Sequence, residues 1–220
     1  MKLLVATRSE GKSREIRRIL AGVPGWEVVD LSDMAVAPDP AEDDLEPYDT
    51  FEENAESKAR YFADKTGLPT IADDSGIEID VLDGAPGVRT KRFAADGGVD
   101  VGGLGGQALD AANNAHMVDR LAGVAQEDRT ARYVCVAVFV EAGTRHVVCR
   151  GEAPGVIVDE GRGDGGFGYD PHVFVPELGR TFAELSAAEK DARSHRGAAF
   201  REFAAWLGSR GTRGEVSGGA

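Results

Sequence analysis

Short apolar runs alternate with stretches of helical periodicity along the whole chain, and this alternation restricts the fold more than any other feature. Residues 3–6 (LLVA), 26–29, 70–72, 132–140, 146–150, 155–158 and 173–175 read as strands. Residues 77–81 alternate apolar and polar as a half-exposed strand does. The first run offers no polar face to water, so burial on both sides is expected. It passes through TRSEGK into Ile16, Ile19 and Leu20 at helical spacing, which gives strand, polar loop and helix. Thr50 and Ser186 each stand three residues before a glutamate, a capping box that opens a helix. The first of these helices runs to about Lys65, where Gly67 and Pro69 stop it, and another spans 107–121. The second runs to Arg193, is interrupted over 194–197 and resumes over 198–207. Strands and helices mixed in this way predict an α/β or α+β chain around a mixed sheet.

The connecting segments have their own character. Residues 30–49 are acidic and carry Pro38, Pro40 and Pro47, a long loop of the kind that is often functional. Residues 97–106 hold six glycines, and no Lys-Ser/Thr follows them. They read as a flexible surface insertion rather than a phosphate loop. A second glycine-dense loop covers 161–168, and the glycine-rich tail over 208–220 is expected to be disordered. A chain of 220 residues suits one substantial domain, taken as 1–207.

Composition narrows the function. Apolar content of 42% and charged content of 29% describe an ordinary globular protein. No apolar run approaches the roughly 18 residues that a bilayer crossing needs. The first apolar stretch is too short for a signal peptide, so no membrane partner and a cytoplasmic address are expected. The net charge of -13 repels nucleic-acid backbones. A local basic pocket for a small anion is still compatible with it, because screening acts over about 10 Å. Cys135 and Cys149 flank a hairpin turn at 141–144 and read as small buried hydrophobes in a reducing compartment, too few for a zinc site.

Four segments are candidates for chemistry. Residues 7–12 join a strand to a helix, where free backbone N–H groups and the helix dipole suit a phosphate. Thr7 and Ser9 add hydroxyls and Lys12 a cation, although any capped helix with a surface lysine looks the same. Asp73 and Asp74 follow a strand expected to be buried, a costly place for adjacent carboxylates unless they are paired or bind metal. Glu46 would add another oxygen, and carboxylates with water and substrate phosphates are what Mg²⁺ prefers. The alternative is that one acid caps a turn while the other is solvated. Phe167, Gly168, Tyr169 and Asp170 follow two glycines that would let a ligand approach closely. An aromatic beside an acid can stack on a planar base and bond its edge, or serve as ordinary core. Lys190, His195 and Arg196 offer cations and an imidazole, or a solvated helix face. Together the four segments are the parts of a Mg²⁺–nucleoside phosphate site.

The motifs ATRSEGK (6–12), TFEENAESKAR (50–60), IADDSGIEIDVLDGAPG (71–87), GDGGFGYDPHVFVPE (163–177) and LSAAEKDARSHRG (185–197) have a distinctive order and spacing. Over residues 2–207 they resemble the inosine triphosphate pyrophosphatase family. The resemblance implies an α/β fold, an elongated central mixed sheet flanked by helices, with two lobes, the active-site cleft between them, and a homodimer. It implies Mg²⁺-dependent hydrolysis of the nucleoside triphosphates ITP, dITP and XTP to the monophosphate and pyrophosphate. Carried over by motif, Thr7, Arg8, Ser9, Glu10, Gly11 and Lys12 form the triphosphate-binding loop. Asp74 is the general base and a metal ligand with Asp73 beside it, Glu46 is the second metal carboxylate, and Ser75 contacts substrate. Phe167, Gly168, Tyr169, Asp170, Lys190, His195 and Arg196 resemble the nucleobase pocket. The family commonly has asparagine where Ser9 stands, so that contact is expected to be weaker or water-mediated. The insertion at 97–106 also looks longer than is usual for the family.

Selectivity is expected to rest on the purine 6-position, where Arg196, His195 or a backbone N–H would satisfy a keto oxygen but face the amino group of adenine. Two other readings stand beside this one. A Maf-like nucleotide pyrophosphatase would differ in base preference, and the SHR segment argues against it. A non-enzymatic nucleotide-binding module is disfavoured by the intact Asp73, Asp74 and Lys12.

Overall fold

The computed structural model describes the backbone of residues 1–214 and the side chains of residues 1–210. In it β1 (Lys2–Val5) lies between two parallel neighbours. Leu3 and Leu4 pair with Val28 and Val29 of β2 (Glu27–Asp30), and Leu4 and Val5 with Thr70 and Ile71 of β3 (Thr70–Ile79). The LLVA run is buried throughout, as its lack of a polar face requires. Helix α1 (Glu10–Leu20) begins at Glu10, inside the run 7–12 that reads as a polar loop. Ser9 supplies the reason: its Oγ accepts the Lys12 N–H at 3.4 Å, and Glu10 suits the positive end of the helix dipole. In α2 (Phe51–Thr66) Thr50 accepts the Glu53 N–H at 3.2 Å, and left-handed Gly67 ends the helix as expected.

Strand β3 is one uninterrupted ladder, so Asp73 and Asp74 stand in mid-strand and not at a strand end. Strands β1 and β5 (Thr130–Glu141) flank it, and a 3-10 turn over Asp80–Leu82 takes the place of the end of the second expected strand. Residues 146–150 and 155–158, read as two strands, belong to the single β6 (Thr144–Ile157). It joins β5 through Ala142 and Gly143, whose positive φ of 48° and 73° fit a two-residue hairpin turn. The remaining strands are β4 (Pro86–Gly87), β7 (Val173–Val175) and β8 (Arg180–Thr181). The sheet is mixed and eight-stranded, in the order β2-β1-β3-β5-β6-β7-β8 with β4 on β3. Helices α3 (Phe93–Asp96), α4 (Gly106–Arg120), α5 (Ala187–Arg193) and α6 (His195–Gly214) complete an α/β chain. Among the described residues no helix is long and apolar enough to cross a membrane.

The span expected as one domain divides into two compact units whose boundaries fall within β3, β5 and β6 and between α5 and α6. Unit 1 comprises Met1–Asp74, Cys135–Gly151 and His195–Ala220, with a core of Leu3, Val5, Ile16, Ile71, Phe139, Phe200 and Phe203. Unit 2 comprises Ser75–Val134 and Glu152–Ser194, around Ile77, Met117, Tyr133, Ile157, Tyr169 and Phe182. Both cysteines are buried free thiols in unit 1. Helix α6 continues past Leu207 to Gly214, so residues 208–214 are helical rather than disordered. Arg210 anchors the extension, donating to Glu141 Oε2 at 2.8 Å and lying 5.0 Å from the centre of the Trp206 ring. The rest of the expected tail, 215–220, lies outside the described residues.

Candidate active site

Successive strand residues face opposite sides, so β3 sends its two acids to different partners. In unit 1, Asp73 Oδ2 accepts from Lys12 Nζ at 2.9 Å and from Arg196 Nη2 at 3.5 Å, with the Cys135 thiol at 3.7 Å. Arg196 is itself held by Glu15 Oε2 at 2.7 Å. Burial alone would push the Asp73 carboxyl up, but the charges of Lys12, Arg196 and Lys58 hold it well below the usual carboxylate range. Asp74 accepts from Asn54 Nδ2 at 3.1 Å. Burial pushes its carboxyl up, Lys58 and Lys12 pull it back, and Glu46 adds a like charge. The net direction is upward, so two neighbours in one strand are driven apart.

Lys58 closes this cluster. Its ammonium bonds Glu46, and although burial would lower it, Glu46, Asp73 and Asp74 keep it charged. Neither Asn54 nor Lys58 figured among the expected site residues, nor did Glu15. Their signals were local and faint: Asn54 and Lys58 are i,i+4 on one helix face, and Glu15 follows Lys12 by three.

The donor set suits a hard divalent cation. The acids Glu15, Glu46, Asp73 and Asp74 are gathered with the cations Lys12, Lys58 and Arg196. Asp73 Oδ1 is buried without a hydrogen-bond partner among the described residues. Among those residues no three His, Cys, Asp or Glu side chains gather as a complete metal cage. One or two carboxylates with substrate oxygens is the usual Mg²⁺ arrangement, and Glu46 and Asp74 fit it.

The other expected residues are placed as follows. Glu10, Gly11 and Lys12 form the first turn of α1, and Thr7 Oγ1 accepts the Ser9 N–H at 3.2 Å. A cavity of about 270 Å³ opens beside them, lined by Thr7, Arg8, Ser9 and Glu10 with Ser13 and Ser32 among others. Lys12 is not part of its lining and bonds Asp73, while the Arg8 guanidinium bonds residues 36–42. His195 and Arg196 open α6 in unit 1, both buried. A Cβ on Gly151 of β6 would lie 2.1 Å from His195 O, so only glycine lets α6 start there.

Unit 2 holds Ser75, Phe167, Gly168, Tyr169, Asp170 and Lys190. Buried Asp170 accepts from Lys190 Nζ at 2.7 Å, the Phe167 N–H at 2.9 Å and Tyr133 OH at 3.1 Å. Lys190 lies 4.7 Å from the centre of the Phe167 ring, whose outer part is exposed. Gly168 donates its N–H to Asp110 at 2.8 Å. Tyr169 is core, its hydroxyl donating to Thr90 O at 2.8 Å. The loop glycines let the chain approach itself: a Cβ on Gly166 would stand 2.0 Å from Asp170 Oδ2, and one on Gly165 2.7 Å from Ala183 O.

The sequence model of the Ham1 family matches residues 3–206. This chain belongs to the Ham1 family. A Ham1 relative from Geobacter sulfurreducens, called a dITP/XTP pyrophosphatase, is 44% identical over 96% of this chain and 98% of its own. Another of that name from Mycolicibacterium paratuberculosis is 48% identical over 90% of this chain and 92% of its own. The solved structure of a HAM1 protein from Coxiella burnetii superposes with a TM-score of 0.79 at 33% identity, covering 95% of this chain and 99% of that one. The α/β architecture expected from the motifs is thus that of the Ham1 proteins.

Proposed function

We propose that this protein hydrolyses non-standard purine nucleoside triphosphates (ITP, dITP and XTP) to the monophosphate and pyrophosphate, clearing them from the nucleotide pool. The observation that carries the reading is the β3 acid pair, one carboxylate held between two cations and its neighbour beside a neutral amide. The names of the curated Ham1 relatives agree with it and favour it over a Maf-like preference.

Lys12 and Lys58 offset triphosphate charge, with the hydroxyls of Thr7 and Ser9 and the N–H groups at the start of α1 as further donors. Asp74 accepts the proton of a water that attacks the α-phosphorus. A new P–O bond forms, the α–β anhydride bond breaks, and pyrophosphate leaves. Asp73 stays an anion, orienting Lys12 and Arg196. Mg²⁺ held by Glu46 and Asp74 would supply charge neutralisation on the phosphate oxygens when bound. Ser75 is assigned to substrate contact. Phe167 offers a face for stacking the purine, with Gly168, Tyr169, Asp170 and Lys190 supporting it and His195 and Arg196 assigned to the 6-keto edge. A homodimer in the cytoplasm completes the proposal.

The test is pyrophosphate release across a nucleoside triphosphate panel, with and without Mg²⁺. ITP and XTP are expected to be cleaved up to about 10⁴-fold faster than ATP at equal low concentration. Equal cleavage of ATP, or release of orthophosphate, sinks the reading.

A further inference from the structure

Arg8 sits in the loop that the motif match gives to the triphosphate, yet its guanidinium is engaged elsewhere in unit 1. Nε donates to Glu42 Oε2 at 2.8 Å, and Nη2 to Glu42 Oε1 at 2.7 Å and Ala37 O at 3.1 Å. Nη1 donates to Val36 O at 2.8 Å. These bonds take four of the five N–H donors that an arginine has. The Phe62 ring lies 5.7 Å from the guanidinium carbon. Little of the group is left for a phosphate.

All of its partners except Phe62 lie in the long acidic loop that carries Glu46. The ends of that loop are held by Arg17 of α1 at Asp30 and Asp33 and by Asn54 of α2 at Tyr48; between them Asp39 bonds Lys65 Nζ at 2.9 Å and Glu46 bonds Lys58. Both lysines belong to α2. Arg8 therefore makes the one of these ties that comes from the β1–α1 loop, which also carries Ser9 and leads to Lys12. A fork bonded to one carboxylate and two carbonyls fixes orientation as well as distance, which an ammonium cannot do.

We propose that Arg8 is a positioning residue that fixes the Glu46-bearing loop against residues 7–12, and is not a triphosphate ligand. Its kinetic arm rests on the hydrolase reading above; its structural arm does not. Arg8→Ala frees Glu42 and two carbonyls while the ties at Asp39 and Glu46 persist, so the loop loosens without the unit unfolding.

Hydrogen exchange on the ligand-free protein tests the structural arm. Amides over 36–46 should exchange about tenfold faster in Arg8→Ala and in Glu42→Gln, and the double variant should be no worse than Arg8→Ala alone. For the kinetic arm, the Mg²⁺ concentration giving half-maximal ITP turnover should rise about tenfold in both variants. KM for ITP at saturating Mg²⁺ should move less than about twofold, and Arg8→Lys should rescue only in part. A phosphate ligand behaves the other way: Arg8→Ala raises KM at saturating Mg²⁺, Glu42→Gln matches the wild type, and exchange is unchanged. That result overturns the proposal. Glu42→Gln decides the matter if Arg8→Ala does not fold. If the wild-type protein cleaves no triphosphate, the hydrolase reading falls and exchange still decides the clamp.

Discussion

Two buried aspartates, one in each unit, hold a lysine in almost the same way and do different work. Asp73 takes Lys12 at 2.9 Å and Asp170 takes Lys190 at 2.7 Å. Around Asp73 the remaining neighbours are mostly charged, Arg196 and Lys58 of one sign and Asp74, Glu46 and Glu15 of the other, with the neutral Cys135 thiol beside them. Around Asp170 they are neutral, the Tyr133 hydroxyl and the Phe167 N–H. The unit 1 cluster crowds like charges, Glu46 adding to the burial that pushes the Asp74 carboxyl up, whereas Asp170 in unit 2 is met by a lysine and neutral donors. Crowded buried carboxylates are costly unless a ligand or cation completes them, which is what a reacting site offers. A carboxylate with a lysine and neutral donors fixes a loop. On the proposed hydrolase reading the chemistry lies at β3 and Asp170 presents Phe167.

The largest effect should come from the acid beside the neutral amide. Asp74→Asn keeps the size of the side chain and removes the proton acceptor, so turnover should fall by about 10²–10⁴-fold. The melting temperature should hold or rise. Unchanged pyrophosphate release would remove Asp74 from the mechanism and revive a non-enzymatic role.

Asp73→Asn should act on stability instead. It takes the 2.9 Å counter-charge from buried Lys12 and leaves Arg196 to Glu15, at a cost of roughly 3–5 kcal/mol in urea unfolding. Asp170→Asn takes a counter-charge from Lys190 alone and should cost less. Equal losses would break the contrast between the clusters.

Gly166→Ala comes next. The residue has φ of 73°, and an added Cβ would meet Asp170 Oδ2 at 2.0 Å, so strain and a displaced carboxylate should cost about 1–3 kcal/mol. KM for ITP should rise with kcat little changed, because the loop moves and β3 does not.

The parts of this fold that were legible were those whose cause is local. Thr50 and Ser186 cap helices through bonds to residues three positions away, so the starts of these helices could be read from the sequence, whereas Ser9, with no glutamate three residues on, hid the first turn of α1. Strands β3 and β6 were cut short because Asp73, Asp74, Gly151 and Pro154 are poor strand formers by composition. Their tolerance comes from partners far along the chain: Lys12 for Asp73, and the start of α6 for Gly151. The site followed the same rule. Its acids and Lys12 stood out as residue types, whereas Glu15 became part of it only through Arg196, 181 residues away. Asn54 and Lys58 gained meaning only once α2 had brought them to Asp74 and Glu46. Asp170 and Gly166 carried a legible motif whose internal packing was not legible, since the glycine makes room for the carboxylate.

The smallest expected change in stability tests the unit 2 half of the comparison most directly. Phe167 is 37% exposed although it sits over Lys190 in a loop pinned by Asp170. A ring held rigidly and left open to water contributes little to folding, so Phe167→Ala should shift unfolding by no more than about 0.5 kcal/mol. If the ring is a platform for the purine, losing it removes a stacking contact worth about 1–3 kcal/mol, and KM for ITP should rise roughly tenfold or more. Turnover at saturation should hold, because stacking of the base is assigned to the ring and the proton transfer to Asp74. A KM that does not move would leave Asp170, Lys190 and Tyr133 pinning a loop that presents nothing. The base contacts would then have to be sought among the donors at the start of α6.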